Sequence, residues 1–290
     1  MPFQIVKKEQ LSDNMFRVTF HAPLVARRAQ PGQFLMFRVD EFGERMPITI
    51  SYFDREAGDV TVIMQRVGST TALLASMNEG DYVADVVGPL GNPAEFDNMH
   101  KVIVVGGGSG CAIAWPQAKG AFERGCHVDI VAGFRTKGIV VLEDEMRACC
   151  KNLYMMTDDG TYGEKGFTTV KLKELLEKAK AEGEQYDTCI CIGPLPMMKF
   201  VCQITKEYGV HTMVDMNCIM IDGSGMCGGC RLTVDGPEFD GHLVDFDEAI
   251  ARSKIYEKQE ARVFQRRHHC TLQELADREE AARKAAKEGK

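Results

Sequence analysis

A small antiparallel β-barrel followed by a doubly wound α/β domain is the fold this 290-residue chain predicts, on three observations. The first hundred residues alternate apolar and polar side chains between turn signals. From Lys101 onward, short continuous apolar runs alternate with helix-like runs. At the change of texture, KVIVVGGGSG leads a buried strand into a glycine turn.

The elements follow in order. IVKKEQLSDNMFRVTFHAP, GQFLMFRV and DVTVIMQRV show the period of two that puts one face of a strand inside a barrel. TTALLASM has helical spacing, and GDYVADVVGPLGNP closes the region with a strand and a Gly/Pro-rich exit. Beyond it, KVIVV, HVDIVAGF, NLYMMTDD and YDTCICIGP are apolar enough to be covered on both faces. CAIAWPQAKGAFERG, VLEDEMRACC, VKLKELLEKAKAEG and MMKFVCQITKEYG supply helices between and after them, which implies a parallel sheet. The end, REEAARKAAKEGK, is a solvated helix. The boundaries expected are a barrel over 1–98, an α/β domain over 99–217, a ligand-bearing loop over 218–248 and a charged tail over 249–290.

Composition narrows the function. A net charge of −7 argues against nucleic acid and anionic membrane as partners. No apolar run approaches the roughly 20 residues of a membrane span, and MPFQIVKKEQ has no signal-peptide core. The 11 cysteines are then expected as free thiols in a cytoplasmic protein, with Cys111, Cys126, Cys189 and Cys191 buried in apolar runs.

Three groups of residues carry chemistry. Gly106-Gly107-Gly108-Ser109-Gly110 follows a strand and opens a helix, where glycines let the backbone approach a pyrophosphate and the helix N-terminus favours it. No acidic residue ends the second strand, where a dehydrogenase would hold ribose; Arg135 stands there, as in a flavin-reductase type of nucleotide domain. In Arg45-Met46-Pro47-Ile48-Thr49, an arginine suits flavin phosphates and a hydroxyl four residues on shares its strand face. Gly68-Ser69-Thr70-Thr71, at a strand-to-helix junction, is a second phosphate site. Singly these also fit an exposed arginine and an ordinary helix cap; together they favour a flavin held against a nicotinamide. Asp158-Asp159-Gly160 and Gly193-Pro194 end later strands, where open α/β sheets bind ligands, and ordinary turns explain them equally. Trp115 reads as core, and Glu143, Asp144 and Glu145 as a solvated helix face.

The third group is DGSGMCGGCR. Asp222, Cys227 and Cys230 lie within nine residues on a loop whose glycines let backbone wrap a metal centre, yet the next cysteine is Cys270, forty residues on. Zinc and iron–sulfur clusters both take four ligands.

At this point the sequence resembles a family: the small subunit of NADH-dependent reduced ferredoxin:NADP oxidoreductase, also called the sulfide dehydrogenase or ferredoxin–NADP reductase alpha subunit. It is similar, more distantly, to the electron-transfer subunit of dihydroorotate dehydrogenase. RMPITI, GSTT, VVGGGSG, GFRTKGIVVLEDEM, TDDGTYGEKG, IGPLPMMK, DGSGMCGGCR and DGPEFDGHLVDF carry the resemblance, in order, over roughly 2–255. It implies a ferredoxin-reductase-like pair of domains holding FAD, NAD(H) and a 2Fe-2S cluster, and a heterodimer with a larger flavin and iron–sulfur subunit that serves ferredoxin indirectly. Arg45, Pro47, Ile48, Thr49, Gly68, Thr70 and Thr71 would bind FAD. Gly107, Gly108, Gly110, Arg135, Asp159 and Gly193 would lie around NAD(H). Asp222, Cys227 and Cys230 match three of the family's four cluster ligands. The hairpin that carries the family's last cysteine is missing between Val234 and Asp235, so Cys218 becomes the candidate fourth ligand, with Cys270 the other.

The expected activity is hydride exchange between NAD(H) and FAD, with single electrons leaving through the cluster, and no catalytic acid or base. Two further readings compete. One is a standalone NAD(P)H-dependent flavin or ferredoxin reductase with a vestigial cluster loop. The other is a zinc-bearing, nucleotide-sensing regulatory subunit.

Overall fold

The computed structural model describes residues 2–41, 43–216 and 238–254. Its first sheet is antiparallel throughout. It is built from β1 (Phe3–Gln10), β2 (Met15–His21), β3 (Phe34–Arg38), β4 (Met46–Asp54), β5 (Asp59–Gln65), β6 (Tyr82–Val83) and β7 (Asp85–Leu90), in the order β6-β1-β2-β5-β4-β3-β7. The two edge strands are consecutive in the chain. Only Ala84 separates them, and its N–H donates to the carbonyls of Arg38 and Val39, so the sheet curls round until its ends nearly meet. The alternation read from the sequence is the reason. Ile5, Phe16, Val18, Phe20, Leu35, Phe37, Ile50, Val60 and Val62 all point into one core, joined by Leu74 of α2 (Ser69–Ser76). A short helix, α1 (Pro23–Ala26), follows β2.

The second sheet contains β8 (Lys101–Gly107), β9 (His127–Phe134), β10 (Asn152–Thr157), β11 (Glu164–Lys165), β12 (Thr188–Ile192), β13 (His211–Asp215) and β14 (Glu238–Asp240). Its order is β11-β10-β9-β8-β12-β13-β14, parallel except for β14. The strands are apolar on both faces because both are covered. Val102, Val104, Val128 and Ile130 pack with α3 (Cys111–Glu123) and Met146 of α4 (Glu143–Arg147). Ile103, Val105, Val131, Cys189 and Cys191 pack on the other side with α5 (Thr168–Glu182), α6 (Leu195–Tyr208) and α7 (Phe246–Ser253).

Differences from the sequence reading are local. The helix expected over VLEDEMRACC shrinks to α4, since Leu142 adopts a left-handed backbone with φ +61 immediately before it. Residues 238–240, inside the expected loop segment, pair with β13. α7 runs past 249 into the expected tail because Phe246 anchors it in the core.

The domains share packing. Met15 and Ile63 of the barrel, with Ala94 and Phe96 of the connecting segment, belong to the same core cluster as Trp115 and Ala118 of α3. That contact brings β4 against α3.

Candidate functional site

Around the barrel, two predicted segments meet. Pro47, Ile48 and Thr49 lie on β4, paired with Met36, Leu35 and Phe34 of β3, and remain half-buried where most of the barrel's inward apolar residues are buried. Arg45 precedes them. Its side chain is 49% exposed, and Nη2 lies 3.4 Å from Asp85 Oδ2, a carboxylate that Arg38 already holds at 2.7 and 2.8 Å. Next to Arg45, Glu44 accepts a 2.8 Å hydrogen bond from the buried Thr70 hydroxyl. Thr70 belongs to the other segment. Gly68 caps α2, and the Thr71 hydroxyl accepts the N–H groups of Val67 and Gly68 at 3.0 Å while donating to the Gly68 carbonyl. Thr71 is therefore consumed in building the turn, whereas Thr70 offers its proton to an anion. A methyl group on Gly68 would meet nothing within 4 Å among the described residues, which leave the space over the start of α2 open. The donor set suits phosphate oxygens; here Thr70 serves the Glu44 carboxylate and Arg45 lies beside that of Asp85.

In the α/β domain the glycines are dictated by packing. Strand order reverses between β8 and β12, the switch point where open α/β sheets bind ligands. There, a Cβ on Gly110 would lie 2.4 Å from the Ile192 carbonyl oxygen. One on Gly193 would lie 3.2 Å from Gly107 N and Cα, and one on Gly107 would strike Met197 Sδ at 2.6 Å. Gly108, by contrast, has φ +57, and a Cβ there would meet none of the described residues within 4 Å. The turn is thus clamped from below and bare on its outer side, a cradle suited to a pyrophosphate.

Arg135 follows β9 and is exposed. Asp159 follows β10, its N–H reaching the Arg135 carbonyl at 3.4 Å. The Asp159 carboxylate accepts from the Thr161 hydroxyl (2.7 Å) and N–H (3.0 Å), which hold its pKa below the usual carboxylate range. Both residues stand at the same strand-end edge as the glycine turn. A surface hollow of about 440 Å³ lined by Glu177, Lys180 and Tyr208 lies at the C-terminal ends of α5 and α6, the opposite edge of the sheet.

What joins the halves was not legible in the sequence. Pro116 sits inside α3 and has no N–H for the Ala112 carbonyl one turn back. The buried Ser51 hydroxyl of β4 stands 3.5 Å from that orphaned oxygen, at the long limit of a hydrogen bond. Lys119 of α3 lies 4.4 Å from the ring centroid of Tyr52. The strand bearing Thr49 is thereby set beside the helix that the glycine turn opens. A proline six residues into the helix after the glycine turn was the available signal.

The acidic run needs correction. Only part of it is solvated: Glu143 accepts from Tyr162 Oη at 2.7 Å and Arg147 at 2.8 Å, and Glu145 accepts from Arg17 of β2 at 2.8 Å. Trp115 is buried in the shared core.

Cys218, Asp222, Cys227 and Cys230, like Cys270, lie outside the described residues. Among the described residues no cluster of His, Cys, Asp and Glu could hold a metal ion. The described cysteines are unbridged, and burial pushes the thiols of Cys111, Cys149 and Cys202 up to about 12, as befits thiols packed in a core.

No family model matches the chain. It is 40% identical over 272 residues to a Thermotoga maritima homologue of the dihydroorotate dehydrogenase B (NAD(+)) electron transfer subunit, covering 91% of this chain and 94% of the relative. It is 32% identical over 242 residues to that electron transfer subunit itself from Geobacillus thermodenitrificans, covering 81% and 89%. The chain belongs to this family of electron-transfer subunits. A solved structure of the NADH-dependent reduced ferredoxin-NADP oxidoreductase, described for flavin-based electron bifurcation, superposes with a TM-score of 0.82 at 39% identity, over 92% of this chain and 98% of that one. The family's fold is ferredoxin-reductase-like, and the curled barrel and the helix-covered parallel sheet are its two halves here. No described helix is long and apolar enough to cross a membrane.

Proposed function

We propose that this chain is the electron-transfer flavoprotein subunit of a two-subunit, NADH-dependent oxidoreductase of the ferredoxin:NADP type. The observation that carries the reading is the juxtaposition of β4 with α3 through Ser51 and Ala112. It brings the strand that Arg45 precedes against the helix that the glycine turn opens, which supports a flavin site on the barrel (Arg45, Thr70 and the turn at Gly68) facing a nucleotide site at the glycines. Bound FAD supplies the conversion between a hydride, exchanged with NAD(H), and electrons passed on singly.

The chain's own residues bind and orient. Arg45, Thr70 and the α2 N-terminus would hold the flavin's phosphates, with Thr71 keeping that turn in shape. Pro47, Ile48 and Thr49 would line the strand beside the ring system. Gly107, Gly108, Gly110 and Gly193 would admit the nicotinamide dinucleotide's pyrophosphate, with Arg135 and Asp159 on its flank. The resemblance favours NAD(H) over NADP(H). Asp222, Cys227, Cys230 and Cys218 are the proposed 2Fe-2S ligands, carrying electrons to a larger flavin and iron–sulfur subunit and through it to ferredoxin. The proposed compartment is the cytoplasm.

The test is anaerobic purification of the chain alone and co-expressed with its larger subunit, followed by FAD, iron, zinc and acid-labile sulfide analysis and mixing with NADH or NADPH. Expected are one FAD, iron with sulfide, faster bleaching by NADH, and co-purification of the two chains. FAD reduction without iron or a partner would establish the standalone reductase. Zinc with bound nucleotide and no flavin would establish the regulatory reading. Loss of iron in Cys227→Ser is expected; its retention would remove the cluster from this loop, and retention in Cys218→Ser alone would move only the fourth ligand.

A further inference from the structure

The acidic helix α4 touches both halves of the molecule. On one side Glu145 Oε1 takes Arg17 Nη2 of β2 at 2.8 Å, across the boundary between barrel and α/β domain. Both side chains are mostly covered, at 22% and 27% exposure, and Arg17 Nε also lies 3.0 Å from Glu9 Oε2 of β1, so the guanidinium is held between strand and helix. On the other side Glu143 Oε2 takes the Tyr162 hydroxyl at 2.7 Å. Tyr162 lies in the loop after β10 that carries Asp159. It is tied down by Thr157, whose Oγ1 donates to the Tyr162 carbonyl at 2.6 Å and accepts its N–H at 3.1 Å. The loop after β9 joins in. Lys137 N–H donates to Thr161 Oγ1 at 2.9 Å, and Lys137 Nζ lies 5.4 Å from the Tyr162 ring centroid.

A second observation concerns how α4 is aimed. Leu142 is in the left-handed region, at φ +61 and ψ +24, and its side chain is buried. Among the described residues the other non-glycine with positive φ is Asn98, a residue type that tolerates it; leucine does not. Such strain persists only where the surroundings over-determine it, and it collects at functional sites. Here it directs the first turn of α4 so that Glu143 and Glu145 reach opposite partners.

We propose that α4 is a spacer that sets the loops after β9 and β10 at a fixed distance from the barrel, making Arg17, Glu145, Glu143 and Tyr162 positioning residues for hydride transfer. The proposal rests on the reading that FAD lies on the barrel and NAD(H) at the strand ends. Arg17, Glu145, Glu143 and Tyr162 are not among the buried residues of the core clusters, so the variants leave both cores intact. Alignment is different: displacement of reacting atoms by about an ångström costs on the order of a hundredfold in rate.

The experiment is stopped-flow reduction of the FAD-loaded full chain by NADH without oxygen, for wild type, Arg17→Met, Glu145→Gln, their double variant and Tyr162→Phe. Expected is a fall of about tenfold or more in the limiting rate, with NADH Kd and FAD content within about twofold of wild type. The transient long-wavelength absorbance of stacked nicotinamide and flavin should weaken in parallel. The double variant should be no slower than its slower parent, because the pair acts as a unit. Limiting rates within twofold of wild type in all four variants would overturn the proposal. So would loss of FAD from the variants, which would make these residues part of the fold and not of the alignment. If wild type itself holds no FAD that NADH reduces, the parent reading fails and takes this one with it, a result visible before any variant is compared.

Discussion

At Gly110 a methyl group would lie 2.4 Å from the Ile192 carbonyl oxygen; at Gly68 it would meet none of the described residues within 4 Å. Both glycines stand at the start of a helix and both belong to a candidate phosphate site, yet they are glycine for different reasons. In the α/β domain the site is a by-product of close packing between β8, α3 and β12. Gly107, Gly110 and Gly193 cannot change without moving their neighbours. In the barrel the site is made of side chains set on a framework that does not need them. Arg45 is half exposed, and the Thr70 hydroxyl donates to Glu44. The first kind of site fails by unfolding, the second by losing its ligand.

Breaking the packed side should therefore give the largest effect. Gly110→Ala is expected to lower the unfolding free energy by about 3 kcal/mol or to prevent folding, since neither the Ile192 carbonyl nor Gly193 can withdraw without disturbing β12. Urea unfolding followed by circular dichroism measures it, and a loss under about 1 kcal/mol would show that the turn yields.

Arg45→Ala attacks the other kind of site. FAD retention should weaken about tenfold to a hundredfold through loss of a charge-assisted phosphate contact, while urea unfolding of the apoprotein stays close to wild type. Full flavin occupancy after gel filtration of the variant would reduce Arg45 to a surface charge.

A buried carboxyl sharpens the contrast from the packed side. Burial pushes Asp215, at the end of β13, up to about 7, and the 3.0 Å hydrogen bond from Gln117 Nε2 of α3 offsets that only partly. Below the ordinary carboxylate range, folded and unfolded chains both hold the proton. Between that range and about pH 7 only the folded chain does. Asp215 therefore contributes most at the acid end and loses its contribution as pH rises toward 7, by on the order of 1 kcal/mol per pH unit. Glu143 and Asp159, whose pKa values are lowered, act in the opposite sense at acid pH. The measurement is hence the difference between wild type and Asp215→Asn, in urea midpoints from pH 4.5 to 7.5. A flat difference would show that the carboxylate is solvated in the folded state.

Gly68→Ala should cost far less stability than Gly110→Ala, under about 1 kcal/mol, because its backbone is extended and the added methyl has room. That methyl would nevertheless occupy the open space over α2, so FAD binding should fall more than stability does. Unchanged flavin affinity would place the phosphate elsewhere.

How much was readable beforehand follows the same division. The period-two alternation of MFRVTF and DVTVIMQ predicts barrel strands, and KVIVVGGGSG predicts a strand, a turn and a helix, because burial of one or both faces leaves its mark on neighbouring residues. Glu145 looked solvated because nothing local announces Arg17, more than a hundred positions earlier, and Glu143 because Tyr162 lies beyond the next strand. The same holds for Asp85, which shares its carboxylate between Arg38 and Arg45, and for Ser51, whose acceptor is created by a proline in another domain.

The chain's own order of residues determined the two fold classes, the glycine turn and the kinds of donor available to phosphate, since each depends on periodicity or backbone freedom within a few neighbours. The tertiary structure alone decided which donors face one another, that β4 lies against α3, and that a strained leucine turns α4 toward both halves. Those outcomes depend on which surfaces meet once the two cores form, and contacts between residues far apart in the chain leave no local pattern to read.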